Sequence, residues 1–199
     1  MNDINAINAL PTVECDNVII VDADFADRVA FDLIVNFERM LGRRIPNADM
    51  ALWLECLALD GGVREGAQQT QVVFVHSQGK KKMDYFNPGR LEEDLNGKAF
   101  SGKFGEFVLN AYAEQDIVDR GQLLADMVRL CAAAKEVKRL VIVPSEEQFD
   151  DLRYTLRKVD AEKHITLLAM QPMPGGNFRQ EILGYSLMCA MGIQADELQ

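Results

Sequence analysis

The feature that most constrains this fold is a series of short, continuous apolar runs that alternate with longer amphipathic segments. The runs, rich in β-branched residues, are NVIIVD (17–22), TQVVFVHS (70–77), EFVLNAYA (106–113), RLVIVP (139–144) and HITLLAM (164–170). Strands that are apolar without alternation are typical of parallel sheets, because helices cover both faces of such a sheet. We therefore predict five core strands that pair mainly in parallel.

The segments between these runs have helical periodicity. In residues 24–41 an apolar side chain recurs at every fourth position, as expected for an amphipathic helix that Asp24 could cap. Further helices are predicted at 48–59, with Asn47 as the cap, and then at 119–137, 145–159 and 177–193. This alternation predicts an α/β fold, a three-layer α/β/α sandwich with a mainly parallel sheet of five or slightly more strands. No repeat or long linker divides the chain, so we predict one domain over residues 1–199.

Composition and cysteine spacing indicate the cellular compartment. The first residues contain no basic region followed by an apolar run, and no stretch approaches the ~18 apolar residues that a membrane helix needs. The four cysteines, at positions 15, 56, 131 and 189, contain no C-x-x-C pair and are expected to be reduced and mostly buried. We predict a cytoplasmic protein without a membrane segment.

The charge of the chain bears on nucleic-acid binding. The formal net charge is −10, with 21 Lys and Arg against 31 Asp and Glu, so the field of the whole molecule repels nucleic acid. Residues 78–105, a Gly-, Lys- and Phe-rich insert between the second and third core strands, instead carry a local charge of +2. The insert is either a solvated loop or a surface that contacts RNA. In the second case the candidate contacts are Lys80, Lys81, Lys82, Tyr85, Phe86, Arg90 and Lys103.

Carboxylates follow several predicted strands. Ligands of open α/β sheets bind beyond the carboxyl ends of the strands, which makes these positions candidates for a site. They are Asp22 and Asp24 after the first strand, Glu114, Asp116, Asp119 and Asp126 after the third, and Glu146 and Glu147 after the fourth. Carboxylates that converge bind Mg²⁺ or Mn²⁺, and such a metal can activate water for attack on a phosphodiester.

Several of these acidic residues also have a structural interpretation. Asp24 and Asp119 stand where helix caps are expected, and Ser145-Glu146-Glu147-Gln148 matches the capping box S-x-x-Q. Asp22 lies within the end of its strand, and a functional role is favoured for it. Other chemistries find little support, since the chain has two histidines, no paired cysteines, no G-x-S-x-G motif and no P-loop.

Three stretches resemble a known family. VIIVDADF, IVDRGQLLADMVRL and LVIVPSEEQFDDLRYTLRK, taken in this order, are similar to motifs of the NYN domains, a branch of the PIN-like nucleases. The resemblance implies a PIN/NYN-like fold and an Mg²⁺- or Mn²⁺-dependent endoribonuclease. It places catalytic residues at Asp22, Asp119 and Glu146, and metal ligands at these three positions and at Asp126.

The sequence also departs from the family pattern. The family motif S-G-D-x-D-F corresponds here to Pro144-Ser145-Glu146-Glu147-Gln148-Phe149, so one acid is lengthened to Glu146 and the neutral Gln148 stands in place of the other. Two hypotheses follow. The chain is a metal-dependent ribonuclease-like enzyme, or it is a catalytically inactive α/β module that binds a protein or nucleic acid through residues 78–105. The sequence leaves open whether a homo-oligomer forms.

Overall fold

A computed structural model describes residues 13–198 of the chain. The strands, in chain order, are β1 (Asn17–Asp22), β2 (Ala48–Asp49), β3 (Gln69–His76), β4 (Phe86–Asn87), β5 (Lys98–Gly102), β6 (Gly105–Ala113), β7 (Arg139–Val143), β8 (His164–Ala169) and β9 (Arg179–Ile182). Seven of them form one sheet in the order β5-β6-β3-β1-β7-β8-β9, and β2 pairs with β4. Every neighbouring pair in the large sheet is parallel except β5 with β6. The predicted α/β class with a mostly parallel sheet is confirmed.

Helices lie on both faces of this sheet. They are α1 (Ala23–Leu41), α2 (Met50–Asp60), α3 (Arg120–Ala133), α4 (Phe149–Leu156) and α5 (Leu183–Ala190), with a π-helical turn at Leu91–Leu95 and 3₁₀ turns at Glu146–Gln148 and Ala195–Leu198. Ile19 and Val21 of β1 join the core formed with α1, α2 and α5. Val18 and Ile20 join the core formed with α3 and α4. Burial on both faces explains why β1 has no polar alternation.

The order of the parallel strands locates the crevice where a ligand is expected. Numbered among themselves along the chain, the six parallel strands have the order 3-2-1-4-5-6, which reverses direction between β1 and β7. In doubly wound sheets the ligand crevice opens at this reversal, outside the carboxyl ends of the strands. The segments that flank it here are Asp22–Asp24 at the end of β1 and Ser145–Gln148 after β7.

The largest difference from the sequence prediction lies near the C-terminus. Residues 177–193 were predicted as one helix, but Arg179–Ile182 form β9, and α5 begins at Leu183. Residues 179–182 pair with residues 166–169 of β8, and these ladder hydrogen bonds override the local helical pattern. The prediction of five or slightly more strands therefore becomes seven, because β9 and the antiparallel β5 extend the sheet at its two edges.

Helix starts also differ from the predictions. Asp22, and not Asp24, caps α1, with its Oδ1 accepting from the N–H of Phe25 at 3.0 Å. Asp49, and not Asn47, caps α2. Asn47 instead donates from Nδ2 to the carbonyl of Asp84 in the insert, at 2.8 Å.

All four cysteines are free thiols, and their burial is mixed. Cys15 and Cys131 are buried, Cys56 is half-buried and Cys189 is exposed. Within residues 13–198, no helix combines the length and the apolar character needed to cross a membrane. Residues 1–12, on which the prediction about a leader rests, and Gln199 lie outside the described residues.

Candidate site at the strand-end crevice and the neighbouring insert

Asp22 lies at the centre of the crevice. It ends β1, is 0% exposed, and has an extended backbone that lets its side chain turn back to cap α1. Burial disfavours the charged form of this carboxyl and raises its pKa above the usual value, although the N–H of Phe25 and the nearby Arg120 act in the opposite direction. Asp22 therefore stabilises the start of α1 as its cap, while the burial of its ionised carboxylate is unfavourable.

Arg120 is the cationic partner of Asp22. Its Nε lies 3.0 Å from Oδ1 and 3.1 Å from Oδ2 of Asp22, and its Nη1 lies 3.2 Å from Oδ2 of Asp24. Partial burial lowers the pKa of Arg120, but the charges of Asp22, Asp24 and Glu114 outweigh it and raise that pKa above its usual value. One guanidinium thus bridges the two carboxylates at the end of β1.

Glu114 and Asp24 hold this arrangement in place. Glu114 accepts from the N–H of Arg120 at 3.0 Å and from the N–H of Gln78 at 3.3 Å. Asp24 accepts from the N–H of Ser77 at 3.0 Å and from its hydroxyl at 2.5 Å. These bonds tie the start of α1, the end of β3, the end of β6 and the start of α3 to one another, so four elements hold Arg120 in position.

Sequence reasoning missed Arg120, although the chain contained a signal for it. An arginine at the first position of a helix faces the positive end of the helix dipole and therefore needs a nearby anion. In the stretch Val118-Asp119-Arg120, the resemblance indicates Asp119 as a site residue, but it is Arg120 that contacts Asp22.

The other predicted metal ligands are used elsewhere. Asp119 is exposed and caps α3 through the N–H of Gln122 at 2.9 Å. Asp126 accepts from Nε2 of Gln122 at 2.9 Å and pairs with Arg129 on the same helix. Glu146 is exposed in the first turn after β7. None of these carboxylates shares a hydrogen-bond partner with Asp22.

Gln148 occupies the position where the NYN motif has an acid. Its Oε1 accepts from the N–H of Ser145 at 3.2 Å and completes the predicted capping box. Its Nε2 and Oδ1 of Asp119 both approach Gly121, at 3.0 and 3.3 Å from where a Cβ would stand. The turn after β7 therefore does meet the start of α3, but it brings a neutral amide to that place.

The side chains as arranged do not fit the Mg²⁺ or Mn²⁺ ion that the family resemblance implies. Oxygens of Asp22 and Asp24 already accept from backbone N–H groups, and Arg120 contacts both carboxylates. Across residues 13–198 no group of three His, Cys, Asp or Glu side chains is placed to hold a metal ion. A hard cation would have to compete with the guanidinium for the same oxygens.

Several residues predicted as RNA contacts pack the insert onto the domain. The Nζ of Lys80 lies 2.7 Å from Oδ2 of the buried Asp27, which also accepts from the N–H groups of Asp84 and Tyr85. Phe86 is 1% exposed and packs on Trp53 with ring centroids 4.8 Å apart. The ring of Tyr85 packs on Phe31.

The remaining cations of the insert differ in how far its own acids neutralise them. Arg90 pairs with Glu93 and with Asp94, and Lys82 lies 3.7 Å from Asp84. Lys103 is exposed, and its backbone N–H donates to Glu55 at 2.6 Å. Lys81 is exposed and forms no salt bridge within residues 13–198.

A groove of about 460 Å³ separates the end of β3 from the π-helical turn. Its charged lining comprises Lys80, Lys81, Lys82, Arg90, Glu92 and Glu93, together with His76. Four cations and two carboxylates line the groove, and Asp27, Asp84 and Asp94, which lie outside the lining, pair with Lys80, Lys82 and Arg90. Lys81 is the lining cation that pairs with no carboxylate within residues 13–198.

Fold and site together define an α/β protein with a mostly parallel sheet whose acidic strand-end crevice is ion-paired to an arginine. The chain belongs to DUF6621, a family of unknown function whose model matches residues 13–198. No curated protein and no solved structure matches the chain significantly.

Proposed function

We propose that this chain is a non-catalytic α/β module of PIN-like layout that works by binding. In this proposal Arg120 supplies the positive charge that a metal ion supplies in a PIN-like nuclease. The contact of one guanidinium with both Asp22 and Asp24 carries the proposal. Gln148 supports it, because this neutral residue accepts a capping hydrogen bond at the position where the NYN motif has an acid.

The energetics favour the arginine over an exchangeable metal. A guanidinium stays charged at every physiological pH, and its planar fork suits carboxylates. Separating Asp22 from this cation costs about 2–3 kcal/mol, below the range for a fully buried pair because the Arg120 side chain is 30% exposed. A divalent ion would have to offset that cost in order to bind. Asp22 is fully buried, so this cost applies to the acid that matters most to a PIN-like reaction.

The proposed binding surface is the groove of the insert, and the proposed partner is single-stranded RNA. Lys81 and Lys82 are exposed at its edge. Lys80 is paired with Asp27, so we expect it to attract RNA by its charge and not to contact a phosphate directly. Two exposed lysines can attract a phosphate backbone locally: Lys81, which pairs with no carboxylate within residues 13–198, and Lys82, which lies 3.7 Å from Asp84. This attraction should weaken as the salt concentration rises.

Two measurements on the parent test the absence of catalysis. In chelator-treated buffer, millimolar Mg²⁺ or Mn²⁺ should leave the melting temperature unchanged, because a ligand stabilises the fold only if it binds it. Labelled single-stranded RNA should stay intact with either metal. Metal-dependent cleavage by the parent that Asp22→Asn abolishes would overturn the proposal in favour of the nuclease.

A titration of fluorescent RNA tests the binding surface. We expect Lys81→Ala/Lys82→Ala to weaken binding at low salt and to flatten its salt dependence, because each lysine that contacts a phosphate releases about one counterion. The matched control is Lys98→Ala/Lys158→Ala, which removes the same charge from exposed positions outside the groove. A parent that binds no RNA at low salt would leave a protein partner as the occupant.

A further inference from the structure

A second concave surface lies at the opposite end of the sheet from Asp22. It is a cleft of about 430 Å³ beside the first residues of β7 and β8. β9 begins opposite Thr166, so His164 and Ile165 have no neighbouring strand on that side. At the end of α2, Gly61 allows a close approach to β7, since a Cβ there would stand 2.3 Å from Cγ2 of Val141. The cleft is therefore built by the shortness of β9 and the position of α2.

The lining of this cleft is basic. It contains Arg64, Arg139, Lys163, His164 and Arg179, and no Asp or Glu is among its lining residues. Arg139 and His164 are register partners on adjacent parallel strands, so their side chains project side by side from one face of the sheet. Such a grouping is unexpected in a chain with a net charge of −10.

Only part of this positive charge is neutralised by the protein. Nε of Arg179 donates to Glu181 at 2.7 Å, and Nζ of Lys163 donates to the carbonyl of Val137 at 2.8 Å and to that of Ala134. Within residues 13–198 neither Arg64 nor Arg139 forms a salt bridge. The helix α2 ends nearby at Asp60, whose carboxyl interacts with Glu181 and Arg179, and its C-terminal carbonyls add about half a negative elementary charge.

We propose that this cleft binds a compact, multiply charged phosphate group. Arginine forks match phosphate oxygens in bidentate geometry, and a concave cluster of cations with low-dielectric walls concentrates an anion. A cleft of about 430 Å³ is large enough for a small phosphorylated molecule. Asn177, another lining residue, offers an amide that can donate to such a ligand.

The site is independent of the proposed RNA groove, because the two share no lining residue. A free polyphosphate and a nucleoside diphosphate present the same phosphate chemistry. Titrations with inorganic pyrophosphate and with ADP therefore distinguish the two sources, since only ADP gains from contacts to a base and ribose.

The experiment is calorimetric titration of the full chain with inorganic pyrophosphate, in metal-free buffer of low ionic strength. We expect Arg64→Ala/Arg139→Ala to weaken pyrophosphate binding about tenfold or more, since a lost hydrogen bond to a charged group has at least that effect. Lys98→Ala/Lys158→Ala removes two charges elsewhere and should bind like the parent. Both arginines are at least partly exposed, so the variant should keep its fold, which circular dichroism checks.

Two outcomes would overturn the proposal. The first is that the parent binds neither pyrophosphate nor ADP at millimolar concentration. The second is that the arginine and lysine variants weaken binding equally, which would show a non-specific charge effect. The same arginine variant in the RNA titration separates the two sites. A loss of RNA binding there, with Lys81→Ala/Lys82→Ala unaffected, would move the RNA surface to this cleft and contradict the proposed groove.

Discussion

The Nε of Arg120 lies 3.0 Å from Oδ1 of Asp22, although the two residues are 98 positions apart in the chain. The side chain of Asp22 is wholly buried, and that of Arg120 is 30% exposed. The same Asp22 oxygen accepts from the N–H of Phe25. One carboxylate therefore joins a helix start, a strand end and a distant helix start, and its loss should be felt in all three.

Removal of the arginine should expose the cost of the buried charge. We expect Arg120→Ala to lower the free energy of unfolding at pH 7 by about 2–3 kcal/mol, because it leaves Asp22 buried without its cation. The loss should shrink in acid, where Asp22 is protonated. Urea unfolding at several pH values measures this, and Arg129→Ala, which removes an exposed arginine of the same helix, is the control.

The same variant should also gain sensitivity to metal ions. Without the guanidinium, the carboxylates of Asp22 and Asp24 face a shared space that Mn²⁺ could enter. We expect millimolar Mn²⁺ to raise the melting temperature of Arg120→Ala and not that of the parent. Equal shifts in both proteins would show that Mn²⁺ binds elsewhere or displaces Arg120 from the parent.

Substitution of Asp22 separates its capping role from its charge. Burial raises the pKa of Asp22, so the ionised form costs more in the folded than in the unfolded chain, and stability falls as the pH rises through the folded pKa. We expect Asp22→Asn, which keeps a cap acceptor without the charge, to be more stable than the parent at pH 7. The difference should vanish in acid. Asp22→Ala loses the cap and should be destabilised by about 1–2 kcal/mol.

The Lys80–Asp27 pair should order the insert. Asp27 also accepts from the N–H groups of Asp84 and Tyr85. Removing the charge of Lys80 leaves Asp27 without its cationic partner and should weaken the contacts that hold the insert on the domain. We expect Lys80→Met to increase amide hydrogen exchange across residues 80–95 and to lower stability by about 1–3 kcal/mol. Lys81→Met, which changes the adjacent exposed lysine, should leave both unchanged. If the two variants exchange alike, the anchor lies elsewhere.

Asp60 should make stability depend on pH near neutrality. Burial, and then the charge of Glu181, raise its pKa to about 6, against the opposing charge of Arg179. The folded protein thus holds this proton more tightly than the unfolded chain, so stability falls between about pH 4 and 6. We expect Asp60→Asn to be about 1–2 kcal/mol more stable than the parent at pH 7, after allowance for solvent screening, and equal to it at pH 4. Asp32→Asn, at an exposed position on α1, should give no such pH-dependent gain.

The local hydrophobic pattern predicts the structure correctly where every residue of a segment has the same environment. NVIIVD is buried on both faces of the sheet at every position, and its unbroken apolar character reports this. The sequence also predicts the caps at Asp119 and Ser145 correctly, because a capping side chain accepts from an N–H only two or three residues away. At the start of α1 the same rule selected the wrong aspartate, since Asp22 and Asp24 both lie within reach of a helix start.

Sequence alone determined the α/β class, the mainly parallel pairing and the acidic character of the strand ends, since each follows from residues that are near one another in the chain. Tertiary structure decided what those acids do. Arg120 reaches Asp22 over 98 positions, Lys80 reaches Asp27 over 53, and the basic cleft exists because β9 begins opposite Thr166. Such pairings depend on strand order and register, which arise from long-range packing that no local periodicity encodes.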